Sequence, residues 1–338
     1  MIEKGGHLES DLLSDVLKNV RLSGAIFFDL LASKPWVTEA PPGEVLAPRL
    51  MPGAQHLIEY HVIAYGSCWA QLADGSAEPV QLGPRSIVIF PQGDAHVLSS
   101  EPNMRGAYNM NLYREPSLER PLPFHVRPGE GGVESARVVC GFLGCDARPF
   151  NPLLQSLPRM FVVEGAANDW LGNLIDATMQ ESHQRRIGGG GVLSKLSELL
   201  FIEAVRRYAE AQGEGARSWL AGLKDPQVGQ AITLIHQDPA YPWTLDELAR
   251  RVGVSRTVIA ERFTEHVGMP PMTYLRNWRM QVAAGLLAGS SHTLLRIATR
   301  VGYDSEAAFS RAFKRATGVS PSAWREKPQP KAVTPASS

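Results

Sequence analysis

Thr244-Leu-Asp-Glu-Leu-Ala-Arg-Arg-Val-Gly253 recurs as Thr293-Leu-Leu-Arg-Ile-Ala-Thr-Arg-Val-Gly302, 49 residues downstream. After one extra residue in the second turn, Phe263, Gly268 and Pro271 align with Phe313, Gly318 and Pro321 at an offset of 50. Each copy holds what two closely crossing helices and a tight turn require. In the first, Thr244 is placed to cap a helix with Glu247 three residues on. Ala249 is small enough for a second helix to cross closely, Gly253 takes the left-handed conformation of the turn, and Ile259 with Phe263 buries the helix that follows. Ala298, Gly302, Phe309 and Phe313 play the same parts in the second copy. Each copy therefore reads as a helix-turn-helix, and two in tandem at matching positions are a much more specific signal than one.

The flanking sequence supports the same reading. Asp225-Pro226 is an N-cap followed by proline at the first helical position, Val228, Ile232 and Ile235 mark a buried face, and Asp238-Pro239 ends that helix. Between the copies, Pro271 to Leu287 reads as one long helix with Met272, Leu275, Trp278, Val282 and Leu286 inward, ending near Gly289. Such a rod would let both recognition helices enter successive major-groove segments on one DNA face, about 34 Å apart. The residues expected to face DNA are Ser255, Arg256, Thr257, Ala260, Glu261 and Thr264 in the first unit, and Ser305, Glu306, Ser310, Arg311 and Lys314 in the second. Arg256 and Arg311 can pair with guanine edges or phosphates, and Thr257 can touch a thymine methyl or a phosphate. For any one charged residue the competing reading is a solvated helix face; for the pair of motifs it is a protein-interaction module, which leaves the duplicated turn chemistry unexplained.

Charge is distributed accordingly. The chain of 338 residues has zero formal net charge, yet residues 224–327 hold 14 Lys/Arg against 9 Asp/Glu, whereas residues 1–223 hold 19 against 25. A basic segment joined to an acidic one fits phosphate binding by one domain only. The length fits two domains, and 44% hydrophobic with 20% charged residues is a globular composition. No run approaches the roughly 18 apolar residues of a membrane span, and the acidic N-terminus lacks a signal-peptide core, so a cytoplasmic protein with no membrane partner is expected. Three cysteines, Cys68, Cys140 and Cys145, do not make a secreted disulfide framework.

Upstream, residues 20–150 read as β-rich. Short apolar runs (Leu57 to Tyr65, Cys68 to Leu72, Ser86 to Phe90, Ala136 to Phe142) alternate with turn signals such as Pro52-Gly53, Asp74-Gly75 and Pro91-Gln-Gly93, a spacing that suggests a barrel or sandwich. From Asn168 the period becomes helical. Trp170, Leu171, Leu174, Ile175 and Thr178 line one helix; Leu193, Leu196, Leu200 and Ala204 line another; Gly188 to Gly191 reads as the connector. Gln212 to Ala216 reads as a flexible linker and the tail from Pro328 as disordered.

Two stretches carry a family resemblance. Leu294 to Arg325, with Ile-Ala-X-X-Val-Gly-Tyr-X-Ser and Phe-Ser-Arg-Ala-Phe-Lys-Arg-X-X-Gly-Val-Ser-Pro, resembles the AraC/XylS family of bacterial regulators. Over residues 225–327 this implies a seven-helix DNA-binding domain, with activation and RNA polymerase as a partner. Glu261 departs from the family, whose members commonly carry a base-facing arginine there; glutamate would accept from cytosine or repel phosphate. Gly83-X7-Pro91-Gln-Gly93-Asp-Ala-His96 resembles the second motif of cupin barrels, and Glu59-Tyr-His61 followed by Gly66 resembles a remnant of the first. Ile63 stands where a further ligand would be, so the ligand set is incomplete for mononuclear enzyme chemistry. Cys140-Gly-Phe-Leu-Gly-Cys145 has a spacing at the wide end of zinc-ligand pairs. His61, His96, Cys140 and Cys145 could thus form a closed zinc site, Cys140 and Cys145 could be redox thiols, or all four could be ordinary core residues.

The expectation is an α+β chain: a cupin-like sensor barrel over 1–165, a helical hairpin and linker over 166–216 that would carry dimerisation, an AraC-type double helix-turn-helix domain over 217–327, and a tail over 328–338. Its function would be that of a sequence-specific transcription regulator without catalytic activity, a one-component sensor of a small molecule, metal or oxidant. Its partners would be double-stranded promoter DNA, an effector and a second copy of itself. The rivals are a cupin metalloenzyme tethered to DNA and a thiol-based redox sensor.

Overall fold

The structure, a computed structural model, describes residues 12–20, 22–114, 122–184, 186–213 and 216–326. Its contacts divide the chain into two units that interleave in sequence. One contains residues 22–146 and 157–211. The other contains α1 (Leu12–Val20), residues 147–156 and residues 212–326.

The first unit is built on two sheets. Its elements are β1 (Ser23–Ser33), β2 (Val37–Ala40), α2 (Gly43–Leu50), β3 (His56–Gly66), β4 (Cys68–Leu72), β5 (Val80–Leu82), β6 (Ser86–Phe90), β7 (His96–Ser99), β8 (Phe124–Val126) and β9 (Glu134–Cys145). After residue 156 follow β10 (Phe161–Glu164), α4 (Trp170–His183) and α5 (Gly189–Ala211). The large sheet runs β10-β6-β3-β9-β1-β8 and the small one β2-β7-β4-β5; β1 and β8 pair in parallel and every other pair is antiparallel. Leu57, Ile63, Val88, Ala136, Val138 and Phe142 from the large sheet share one core with Ala70, Leu72 and Leu98 from the small one. The outer face of the large sheet is covered too: α4 packs on β3, α5 on β1, β9 and β10, and the Tyr60 hydroxyl donates to Ser197 Oγ at 2.6 Å. With both faces covered, β3, β6 and β9 are buried along most of their length instead of at alternate residues.

Asp169 caps α4, its carboxylate accepting from the Gly172 N–H at 2.6 Å. The glycine connector is shorter than expected, because Gly189 to Gly191 already form the first turn of α5. Two of the expected linker residues, 214 and 215, and the expected tail lie outside the described residues.

The second unit is helical: α1, α3 (Pro152–Ser156), α6 (Trp219–Gly222), α7 (Pro226–Gln237), α8 (Leu245–Val252), α9 (Arg256–Val267), α10 (Pro271–Gly289), α11 (Leu294–Arg300), α12 (Glu306–Thr317) and α13 (Pro321–Arg325). Asp225 caps α7 as expected, accepting from the Gln227 and Val228 N–H groups. α10 differs from the expectation. Met272, Val282 and Leu286 are only half-buried, while Tyr274, Met280, Gln281, Ala283, Ala284 and Leu287 join Leu275 and Trp278 in the core. A helix with one core on each side buries more than one stripe. Its first half packs on α9 and its second on α11, α12 and α13. Phe150, ahead of α3, belongs here as well: it meets Tyr274 edge-on at 5.3 Å, and its N–H donates to Gln281 Oε1 at 3.1 Å.

Candidate functional sites in the two units

Each copy of the repeat folds as a capped helix, a left-handed glycine and a second capped helix. The Thr244 hydroxyl accepts from the Glu247 N–H at 3.1 Å and the Ser255 hydroxyl from the Val258 N–H at 3.3 Å. Thr293 and Ser305 repeat this toward Arg296 and Ala308, at 3.3 and 3.2 Å. Gly253 and Gly302 sit at φ of 74° and 75°, where a side chain would be strained. The reciprocal half of the capping box does not form, because the Glu247 carboxylate is held by Arg250 at 2.5 Å and Arg251 at 2.9 Å.

The residues expected to face DNA lie on the open side of the second helix of each copy. In the first, Ser255, Arg256, Thr257, Glu261 and Thr264 are exposed and Ala260 is half-buried, while Ile259 and Phe263 are fully inward. In the second, Ser305, Glu306, Arg311 and Lys314 are exposed and Ser310 is half-buried, over buried Phe309 and Phe313. Ser255 and Ser305 already use their hydroxyl lone pairs as caps, so positioning the helix is their first task.

Two features that hold the readers in place were not read from the sequence. Arg279 of α10 donates from Nε to the Pro239 carbonyl at 2.6 Å, from Nη2 to the Tyr241 carbonyl at 2.8 Å and from Nη1 to the Gly302 carbonyl at 3.4 Å. One guanidinium thereby joins the loop before the first reader to the turn of the second. His236 of α7 stacks on Trp278 at 3.7 Å, and its Nε2 meets the Tyr274 hydroxyl at 2.8 Å. Burial pushes its pKa down to about 3, so the ring is neutral. An arginine or histidine inside a polar-looking stretch carries no periodic signal that distinguishes such a role from a solvated face.

In the sheet unit, a cavity of about 220 Å³ opens between the sheets. Phe28, Leu30, Leu98, Val126 and Phe142 wall it, and Glu59, His61, His96, Tyr113 and Cys140 supply polar atoms. His96 Nδ1 donates to the Asp94 carbonyl at 2.8 Å, which leaves its Nε2 as a lone pair. His61 Nε2, 2.6 Å away, must then carry the proton between the rings, and His61 Nδ1 is left without a partner. Burial lowers the pKa of both rings, that of His96 to about 4. Both oxygens of Glu59, a residue only 1% exposed, lack a partner, and burial raises its pKa well above the usual carboxylate range. With the His96 ring neutral, the approach of Glu59 to it at 4.0 Å is not an ion pair.

A family model described as a cupin matches residues 11–210, and one described as a helix-turn-helix domain matches residues 248–327. An AraC-like transcription regulator of Streptomyces antibioticus is 30% identical over 95% of this chain and 100% of its own length. The chain is an AraC-type transcription regulator with a cupin domain. The regulator AlkR of Acinetobacter baylyi is 30% identical over 81% of this chain and 89% of its own, and RclR of Escherichia coli, described as an RCS-specific transcriptional activator, 28% identical over 81% and 86%. Double-stranded DNA is thus the partner of this AraC-type regulator's helical unit. Among the described residues no helix is long and apolar enough to cross a membrane.

The expected zinc set does not assemble in this regulator's cupin domain. Cys140 and Cys145 lie in one continuous strand, five residues apart, where a rise of about 3.3 Å per residue separates them by roughly 16 Å. They also point to opposite faces. Cys140 pairs with His61 on the cavity side, whereas Cys145 pairs with His56 on the other. A Cys-X4-Cys spacing suits one ion only where a turn lies between the cysteines. The two Nε2 atoms of His61 and His96, at 2.6 Å, are closer than two ligands of one tetrahedral ion, which bonds of about 2.0–2.1 Å would hold roughly 3.3 Å apart. Among the described residues no group of three or more His, Cys, Asp or Glu is placed to hold a metal ion. The geometry is no kinder to a Cys140–Cys145 disulfide, which needs Cα atoms within about 7 Å. Burial raises the pKa of all three thiols, that of Cys68 to about 12, and so disfavours the thiolate that oxidant chemistry uses.

Proposed function

We propose that this AraC-type regulator is a one-component switch in which an effector entering the barrel cavity changes the affinity of the paired readers for promoter DNA. The observation that carries this reading is the unpartnered polar group at the cavity: Glu59 with both oxygens free and His61 with a free Nδ1, beside apolar walls. Leaving such groups buried without partners costs stability, and an incoming ligand that hydrogen-bonds them recovers it. The volume exceeds the roughly 150 Å³ that accommodates benzene, so a small organic molecule fits. Transmission has a covalent route. β9 lines the cavity with Cys140 and Phe142, and residues 147–156, which follow it directly, are built into the helical unit through Phe150 and Gln281. An effector moves the DNA equilibrium only by its differential affinity for two states. The protein acts without catalysis, which the incomplete ligand set supports.

The helices α4 and α5 support self-association, since Trp170, Val192 and Leu199 are exposed apolar residues and the last two lie seven apart on one face. Activation through RNA polymerase rests on the family and on the relative described as an activator. The test is a mobility shift on the DNA flanking its own gene, with and without a panel of small apolar compounds. Ala40→Phe, which fills the cavity rim, should abolish the response to any active compound while leaving binding to DNA. A response that survives this substitution places the effector elsewhere. Light scattering should show a mass that rises with concentration and falls in Leu199→Lys.

A further inference from the structure

The two readers differ in where their charges go. Residues 244–268 hold four arginines and four carboxylates. Every one of those arginines has a carboxylate beside it: Arg250 and Arg251 share Glu247, Arg256 Nε lies 3.2 Å from Asp246 Oδ1, and Arg262 pairs with Asp225. Arg217, ahead of the repeat, pairs with Glu265 at 2.8 Å. Residues 293–318 hold five Lys/Arg against two carboxylates. Among the described residues none of Arg296, Arg300, Arg311, Lys314 and Arg315 is in an ion pair, and all are exposed.

Some of these cations are gathered. Arg300 Nη1 lies 3.2 Å from His292 Nε2, Arg325 Nη2 donates to the His292 carbonyl at 2.5 Å, and Arg296 stands one turn before Arg300 on the same side of α11. His292 is held below its ordinary pKa by desolvation and then by Arg296, Arg300 and Arg325, which places all three within electrostatic reach of it. A group of one sign with no counter-charge repels itself until an outside anion arrives. For a DNA-reading unit that anion is the phosphate backbone.

In the first reader the balance is different. If Arg256 reaches a phosphate, Asp246 stays within a few ångströms of the same phosphate, and its repulsion largely cancels the attraction at comparable distance. Glu261 is exposed on the same helix and adds to the repulsion.

We propose that the readers divide the work: the second, through Arg296, Arg300 and Arg325 with Arg311 and Lys314, anchors the phosphate backbone, and the first contributes base discrimination with little net electrostatic affinity. The second reader then holds any duplex and the first tests its sequence. This division also gives Glu261 a purpose, since a reader that does not attract phosphate cannot stay on the wrong site by charge alone.

The test is the salt dependence of binding of the full chain, followed by fluorescence anisotropy on a random-sequence duplex and on a duplex selected by the wild type from a random pool. Arg296→Gln and Arg300→Gln should each lower the slope of log K against log salt by about 0.9 and weaken binding about eightfold at 0.1 M salt, on both duplexes. Arg296→Lys should restore the slope, which it would not do if the guanidinium had a merely structural role. Asp246→Asn, at an exposed carboxylate, should unmask Arg256, raising the slope by about 0.9 and tightening both duplexes. An unchanged slope in Arg296→Gln with Arg300→Gln, or in Asp246→Asn, overturns the division of work.

Discussion

Acidification should loosen the helical unit through a single histidine. His236 is 9% exposed, lies flat on Trp278 and reaches the Tyr274 hydroxyl, and its folded pKa is about 3 against an ordinary 6.5, with burial as the cause. Between these values the unfolded chain binds a proton that the folded one refuses, so stability rises with pH and is lost as pH falls below 6.5. The loss attributable to His236 is about 2 kcal/mol between pH 7 and pH 5, and about 3 kcal/mol by pH 4. Tyr274 and Trp278 belong to α10, which sets the spacing of the readers, so DNA binding should fail along with stability. His236→Phe keeps a ring on Trp278, gives up a hydrogen bond worth about 1 kcal/mol at pH 7, and removes the titration. Urea unfolding of the full chain at pH 7 and pH 5, followed by tryptophan fluorescence, should show the wild type losing about 2 kcal/mol more than the variant. Equal losses in the two proteins, or an imidazole of His236 that titrates near 6.5 in the native state, would refute the reasoning.

Gly253→Ala and Gly302→Ala should separate conformational cost from steric cost. Both glycines have positive φ, but a Cβ at Gly253 meets open space, whereas at Gly302 it would lie 2.6 Å from Arg279 Nη2 and 2.8 Å from the Ala240 carbonyl oxygen. The first should lose about 1 kcal/mol in urea unfolding and the second at least twice that. In the sheet unit, Asp29→Ala leaves Arg137, held by two bonds of 2.8 and 2.6 Å, buried without its partner, and should cost about 3–5 kcal/mol by the same measurement. Glu59→Gln should stabilise that unit more at pH 8 than at pH 5. The raised folded pKa of Glu59 means that stability falls as pH climbs above about 4.5, and a thermal midpoint lower than the wild type's at pH 8 would count against the neutral reading of this carboxyl.

Local chemistry was legible in the sequence and long-range pairing was not. The caps at Thr244 and Asp225, the left-handed glycines 253 and 302, and the strands at 57–65, 68–72 and 86–90 each announce themselves within a few residues, and the structure has them. The face of α10 was harder, since a helix buried on two sides has no single stripe to read. Cys140 and Cys145 misled for a related reason. Their spacing fits a ligand pair in a loop, and only the strand running unbroken through both shows them to be back to back. The sequence blocks 1–165, 166–216 and 217–327 differ from the contact division because α1 and residues 147–156 carry apolar residues, Val16, Phe150 and Leu153, with no marker of which core will bury them.

Glu59 shows how far such reading can go. In sequence it was part of an imperfect motif, valued for the histidine two residues later. In the structure it is fully buried, with no hydrogen-bond partner for either oxygen and with a pKa that burial raises well above the usual carboxylate range. A leucine there would extend the apolar wall at no polar cost. Packing therefore gives no reason for a carboxyl at this point, and the contact between His61 and His96 does not involve it. The remaining physical account is a partner that the folded chain alone does not contain, so the carboxyl, more than either histidine, is where the ligand's polar group should be sought.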